Sequence, residues 1–175
     1  MSFSRPSSPK PTSDEREMLL AFIRWQREQV VATAAGLTEE QLRWTPGDRL
    51  LSIIGIINHL TKMEWRWVEG RFLSSPFPPR DPEWVVDRGR SGHEIIEAYW
   101  LQAQRTEHIA RAAQNLDDAC LGAEGERGPA HVLLGFDEPI TLRWVLLHLI
   151  EETAHHAGHA DSTREMLDGT KMRAS

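Results

Sequence analysis

Apolar residues recur along this chain at spacings of three and four, the mark of helices that bury one face. Met18, Leu19, Phe22, Ile23, Trp25, Gln26, Gln29, Val30 and Thr33 form the first such stripe. A Thr12–Glu15 capping box opens this helix, and Gly36 ends it after about Ala35. Thr38 and Gln41 cap one further turn, L-T-E-E-Q-L, before the loop W-T-P-G-D. Ser52 starts a second long helix running to Leu73, with Ile53, Ile56, Ile57, Leu60, Met63, Glu64 and Trp67 on its inner face. The proline-rich residues 74–82 cannot continue it. Ser91 and Glu94 cap a third helix to about Asn115, through Ile95, Ala98, Tyr99, Gln102, Thr106, Ile109 and Ala113. Residues 116–138 are a second connection, and Thr141 caps a last helix that Gly169 can close in the left-handed conformation. The pattern predicts an all-α four-helix bundle. Its two long connections, roughly 18 and 25 residues, exceed what hairpin neighbours need and imply crossovers between non-adjacent helices. Residues 1–11, rich in Ser and Pro, read as a disordered tail, and 12–175 as a single domain.

Composition narrows the function classes. A net charge of −6 with no basic stripe argues against nucleic-acid binding. No apolar run reaches the ~20 residues of a membrane span, and the polar N-terminus does not read as a secretion signal. Cys120 is the lone cysteine, so no internal disulfide forms, which fits a reducing cytoplasm. The expectation is a cytoplasmic protein, with neither nucleic acid nor membrane as partner.

The chemistry collects in the last helix, T-L-R-W-V-L-L-H-L-I-E-E-T-A-H-H-A-G-H-A-D. At about 100° per residue, His148, Glu152, His155 and His159 share a narrow sector, with His156 just beyond Glu152. Imidazoles and a carboxylate among apolar neighbours need partners, and a metal ion satisfies several at once. Two pairs have the i, i+4 spacing of metal ligands on one helix: Glu152 with His156, and His155 with His159. His59, mid-way along the second helix, is the candidate third ligand. The other polar residues have plainer readings. His93 and His108 belong at the surface, His148 beside Glu151 or Glu152, and Glu64 in a hydrogen bond at the core's edge. His131 sits in a loop that could reach the pocket. Trp65, Trp67, Trp100 and Trp144 read as core or interface.

The segments L-T-E-E-Q-L-R-W-T-P-G, S-I-I-G-I-I-N-H-L and E-W-R-W, followed by L-R-W-V-L-L-H-L-I-E-E-T-A-H-H-A-G-H-A-D, resemble the DinB superfamily over about residues 14–170. The closest likeness is to an actinobacterial-type branch. The resemblance implies an up-down-down-up four-helix bundle and a mononuclear divalent metal, usually zinc or nickel, held by three side chains. The superfamily places one His on the second helix and an H-x-x-x-H pair on the last, ahead of a G-Q dipeptide. Aligning that dipeptide with Gly158–His159 puts the pair at Glu152 and His156. The mycothiol-dependent maleylpyruvate isomerases also use a Glu four residues before a His. The implied ligand set is therefore His59, Glu152 and His156, with His159 as a fourth ligand or a water-orienting neighbour. Two departures, His155 where the branch usually has Arg and Ala157 where it often has Asn, keep the His155/His159 pair as an alternative.

Characterised members of the superfamily include S-transferases and isomerases that use mycothiol, bacillithiol or glutathione. The resemblance thus implies a metal-activated thiol joined to an electrophile, with Arg143 or Arg164 available for the thiol's carboxylate. Cys120, in a loop, has no evident activating partner and reads as a spectator. Members are often dimers, so a homodimer is expected. A metal-dependent hydrolase and a non-enzymatic metal-binding stress-response protein are the alternatives.

Overall fold

The computed structural model describes residues 6–47, 51–76, 83–84, 86–122 and 134–170. Helix α1 spans Glu15–Ala32, the short α2 Glu39–Arg43, α3 Ile53–Trp65, α4 Gly92–Ala112 and α5 Leu142–Asp168. Local sequence explains most of the ends. The side chains of Thr38, Ser52, Ser91 and Thr141 each accept a hydrogen bond from a backbone N–H in the following turn, and at Thr38 and Ser91 the full capping box forms. Gly169 closes α5 at φ +74°. At α1 the cap differs from expectation. Asp14 takes the position and accepts from Glu17, while Thr12 lies two residues outside and accepts from Asp14 N–H. An Asp competes well for this position, and its charge also suits the helix's positive end.

Side-chain bridges fix the helix directions. Arg143, at the start of α5, pairs with Glu15 at the start of α1, and Arg164 near the other end donates to the carbonyls of Thr33 and Ala35 just past α1. These two helices are parallel. Arg111, at the end of α4, meets Glu17 at the start of α1, so α4 runs the opposite way. Leu51, just before α3, accepts from Thr163 near the end of α5, whereas Trp67 beyond α3 packs on Trp144. The order is up-down-down-up. The parallel α3 and α4 pack side by side, so the expected crossover between non-adjacent helices does not hold for their connection, whereas the antiparallel α4 and α5 are not packed on each other.

The buried residues of α1 are Leu20, Ile23, Arg27, Gln29 and Val30, so an arginine one turn from both Ile23 and Val30 lies inside the bundle. Arg27 makes a two-pronged contact with Glu64, Nε to Oε1 at 2.8 Å and Nη2 to Oε2 at 2.7 Å, and both residues are 0% exposed. Thr106 of α4 donates to the same carboxylate at 2.9 Å. A buried charge is tolerated only when paired and hydrogen-bonded, so this network holds α1, α3 and α4 at one level. Tyr99, Ile56, Ile57, Leu60, Val145, Leu146 and Leu149 are among the apolar core around it. No described helix is long and apolar enough to cross a membrane.

Candidate metal centre

α3 is buried along its first eight residues, Ile53–Leu60, and His59 sits inside that run at 8% exposure. Arg66, seven residues or about two turns beyond His59, lies on the same face, and from there the helix widens into a π-helical segment, Arg66–Phe72. The antiparallel α5 presents Glu152 and His156, one turn apart, to α3. His156 is buried at 7% exposure, and Glu152 is half-buried. Potential donor atoms of His59, Glu152 and His156 lie within 4.8 Å of one another. Ligands about 2.0–2.1 Å from a common ion stand about 3.4 Å apart in a tetrahedron, so closing this triangle takes side-chain shifts of about 1 Å. The His156 Nε2 to Glu152 Oε2 separation is 3.6 Å, too long for a hydrogen bond but close to that ligand spacing. The other ring nitrogen, Nδ1, is buried with no hydrogen-bond partner among the described residues. The Nε2 contact with Glu152 is thus longer than a hydrogen bond, which leaves that nitrogen's lone pair open to an ion.

Electrostatics point the same way. Burial pushes the His156 ring down to about 4, helped by His155 and His159. Burial, then His156 and the Arg66 guanidinium, push His59 down to about 3. A carboxylate of Glu83 at the His59 Nδ1 pulls the other way, but its charge is shared with Arg66, and burial prevails. Both imidazoles are therefore neutral at pH 7, the form that binds metal. Two neutral imidazoles and one carboxylate make a donor set suited to a divalent metal ion.

The remaining histidines fall elsewhere. His155 is exposed and His159 half-buried; their rings meet edge to face at 4.3 Å, outside the cluster that His59 reaches. His148 stacks on Trp144 at 4.9 Å and stands 3.8 Å from Glu151, with burial lowering its pKa. His148, Glu151 and Glu152 form a second, more open gathering of donors on α5 alone. His93 and His108 are exposed, and His131 lies outside the described residues. Glu64 is a core residue bound to Arg27 rather than a neighbour of the cluster. Arg143 is engaged by Glu15 and Asp117, and Arg164 by Asp168 and the carbonyls beyond α1, so both serve to fasten helices. Cys120 is buried, and that burial pushes its thiol up to about 12. A polar cleft of about 560 Å³ at the start of α1 is lined by Arg16, Arg111 and Arg143. Each of these donates to carboxylates or backbone carbonyls, and the cleft lies about 13 Å along α5 from Glu152.

Two residues of the α3–α4 connection complete the site, and the periodicity of the chain carried no sign of them. Glu83 accepts from His59 Nδ1 at 3.0 Å and pairs with Arg66, while its backbone carbonyl accepts from Asn58 Nδ2 at 2.8 Å. The Trp84 indole stacks on the His59 ring, 3.7 Å between centroids and 14° from parallel, and reaches His156 at 5.4 Å. Gly55 makes room for them: a Cβ there would stand 2.9 Å from the Trp84 carbonyl oxygen. The one available signal was the D-P-E-W sequence at the end of the proline run, polar and aromatic where a plain linker needs neither.

Among solved structures, the crystal structure of a conserved protein from Enterococcus faecalis is similar, with a TM-score of 0.65 at 15% identity over 90% of this chain and 99% of that one. At that identity the likeness speaks to the fold. No curated protein matches the sequence. The family model for mycothiol-S-transferase matches residues 18–169, from the first turn of α1 to the glycine that closes α5. This chain has a DinB-like all-α fold and belongs to the mycothiol-S-transferase family.

Proposed function

We propose that this chain is a divalent-metal-dependent S-transferase. It joins a low-molecular-weight thiol of the mycothiol or bacillithiol type to a small electrophile, with His59, Glu152 and His156 as ligands of a zinc or nickel ion. The observation that carries the reading is the convergence of two buried, neutral imidazoles from different helices on one carboxylate. Membership of the mycothiol-S-transferase family supports the choice of thiol.

An ion held by His59, Glu152 and His156 would supply Lewis acidity that lowers a thiol's pKa, so that thiolate would be present at neutral pH. The chain's own residues do the rest. Glu152, half-buried, marks the side from which a thiol enters, and Glu151, exposed beside it, offers a carboxylate to take the thiol's proton. Trp84, 38% exposed, forms an apolar wall next to both imidazoles, against which an electrophile can lie and water is thinned. The sulfur then forms a bond to the electrophilic carbon while the leaving group departs with its electron pair. Cys120, buried and fully protonated, takes no part.

Metal content by mass spectrometry tests the ligand set. Wild-type protein reconstituted with zinc or nickel should hold about one ion per chain, lost in His59→Ala, Glu152→Ala and His156→Ala. His155→Ala and His159→Ala should keep it, since neither residue joins the cluster. Conjugation of monochlorobimane should then require both ion and thiol. Absence of metal after reconstitution would overturn the reading, and ester turnover without added thiol would replace it with a hydrolase.

A further inference from the structure

We propose that Glu83 is the positioning residue of the centre. It fixes which nitrogen of His59 carries the proton and locks the ring's rotation, so that the connection between α3 and α4 is part of the metal site. This rests on the reading of His59 as a ligand.

A carboxylate accepts hydrogen bonds and donates none, so the 3.0 Å contact between Glu83 Oε2 and His59 Nδ1 places the ring's proton on Nδ1. The lone pair is then on Nε2, at the other edge of the ring. A histidine's second torsion is soft and broad, and without a partner the ring can turn over and offer either nitrogen. Three features remove that freedom. Glu83 is itself held by Arg66, seven residues beyond His59 on the same helix. Its backbone is tied to the neighbouring Asn58. The Trp84 indole lies flat on the imidazole at 3.7 Å, so the ring cannot turn without displacing it. The close approach of this segment depends on the missing side chain at Gly55. A segment that merely linked two helices would need none of these contacts. A carboxylate behind a ligating histidine typically accounts for about 10–100-fold in metal affinity.

The test uses the full chain with its histidines labelled with ¹⁵N, and zinc ion as the probe. Long-range ¹H–¹⁵N correlations on metal-free wild type should show His59 as the Nδ1–H tautomer. In Glu83→Ala that signature should shift toward Nε2–H or a mixture, whereas Glu83→Gln, which keeps an acceptor, should retain it. Competition with a chromophoric chelator should show zinc binding weakened about 10–100-fold in Glu83→Ala and by less in Glu83→Gln. An Nε2–H tautomer in wild type would overturn the proposal, and needs no variant to fold. So would a Glu83→Ala protein of unchanged melting temperature, unchanged tautomer and unchanged zinc affinity. Should wild type bind no zinc, the ligand reading fails by itself, and the tautomers of the metal-free proteins still decide what Glu83 does.

Discussion

Replacing Arg27 by methionine keeps most of the side chain's volume and removes its charge, leaving the Glu64 carboxylate stranded in the core. In the wild type that carboxylate receives two hydrogen bonds from Arg27, at 2.8 and 2.7 Å, and one from Thr106 at 2.9 Å. Burial opposes the guanidinium's charge, yet Glu64 outweighs it and holds the Arg27 pKa above its ordinary value. With both partners at 0% exposure, solvent cannot compensate the survivor. Breaking such a pair costs about 3–5 kcal/mol. For a chain of this length that is a fall in melting temperature of about 6–20 °C. Removing both charges with Arg27→Met and Glu64→Leu should recover most or all of the loss, because a well-packed apolar pair has no desolvation to offset. Urea denaturation followed by circular dichroism, with chelator present so that metal does not contribute, measures Arg27→Met, Glu64→Leu and the double variant in one cycle. A single-variant loss below about 1 kcal/mol, the range of exposed pairs, would refute the buried network as described. A double variant no more stable than Arg27→Met would refute the account of its cost.

Acid should weaken the metal-free fold. His156 has a folded pKa of about 4 against an unfolded value near 6.5, so between those values the unfolded chain binds more protons. Stability present above pH 6.5 is lost as pH falls toward 4, by up to about 1.4 kcal/mol per unit for each such histidine. Urea midpoints at pH 7.5 and 5.0 should show this fall, and His156→Gln should shrink it; an equal pH slope in the variant would count against the neutral buried ring. Gly55→Ala puts a Cβ 2.9 Å from the Trp84 carbonyl and the Ser52 hydroxyl, which must move the connection off α3. A cost of about 1–3 kcal/mol is expected, together with weaker zinc binding and a changed tryptophan emission. Unchanged emission and affinity would mean the connection does not need that approach. Cys120 should resist a thiol-reactive disulfide reagent in the native protein and react on unfolding, and Cys120→Ala should retain thiol conjugation; fast native labelling would contradict its burial.

The helices and most of their ends were legible in the sequence because they are decided within a few residues. Hydroxyls at Thr38, Ser52, Ser91 and Thr141 meet N–H groups one turn away, and Gly169 takes a left-handed conformation that few side chains tolerate. The concentration of candidate donors on α5 was equally plain, since i, i+4 spacing is a property of one helix. Spacing, however, is the same for Glu152/His156 and His155/His159, and it does not say which pair faces α3. Packing decided that: α5 is rotated so that His156 is buried against His59 while His155 stands in solvent. Arg27 was hidden for another reason: its spacing puts it on the face of Ile23 and Val30, but a charge there is permitted only because Glu64 and Thr106 arrive from two other helices. Glu83 and Trp84 were beyond the reach of any periodic pattern. They lie 24 and 25 residues from His59 across a proline-rich crossover, and only the folded connection, running back over Gly55, brings a carboxylate and an indole to one imidazole.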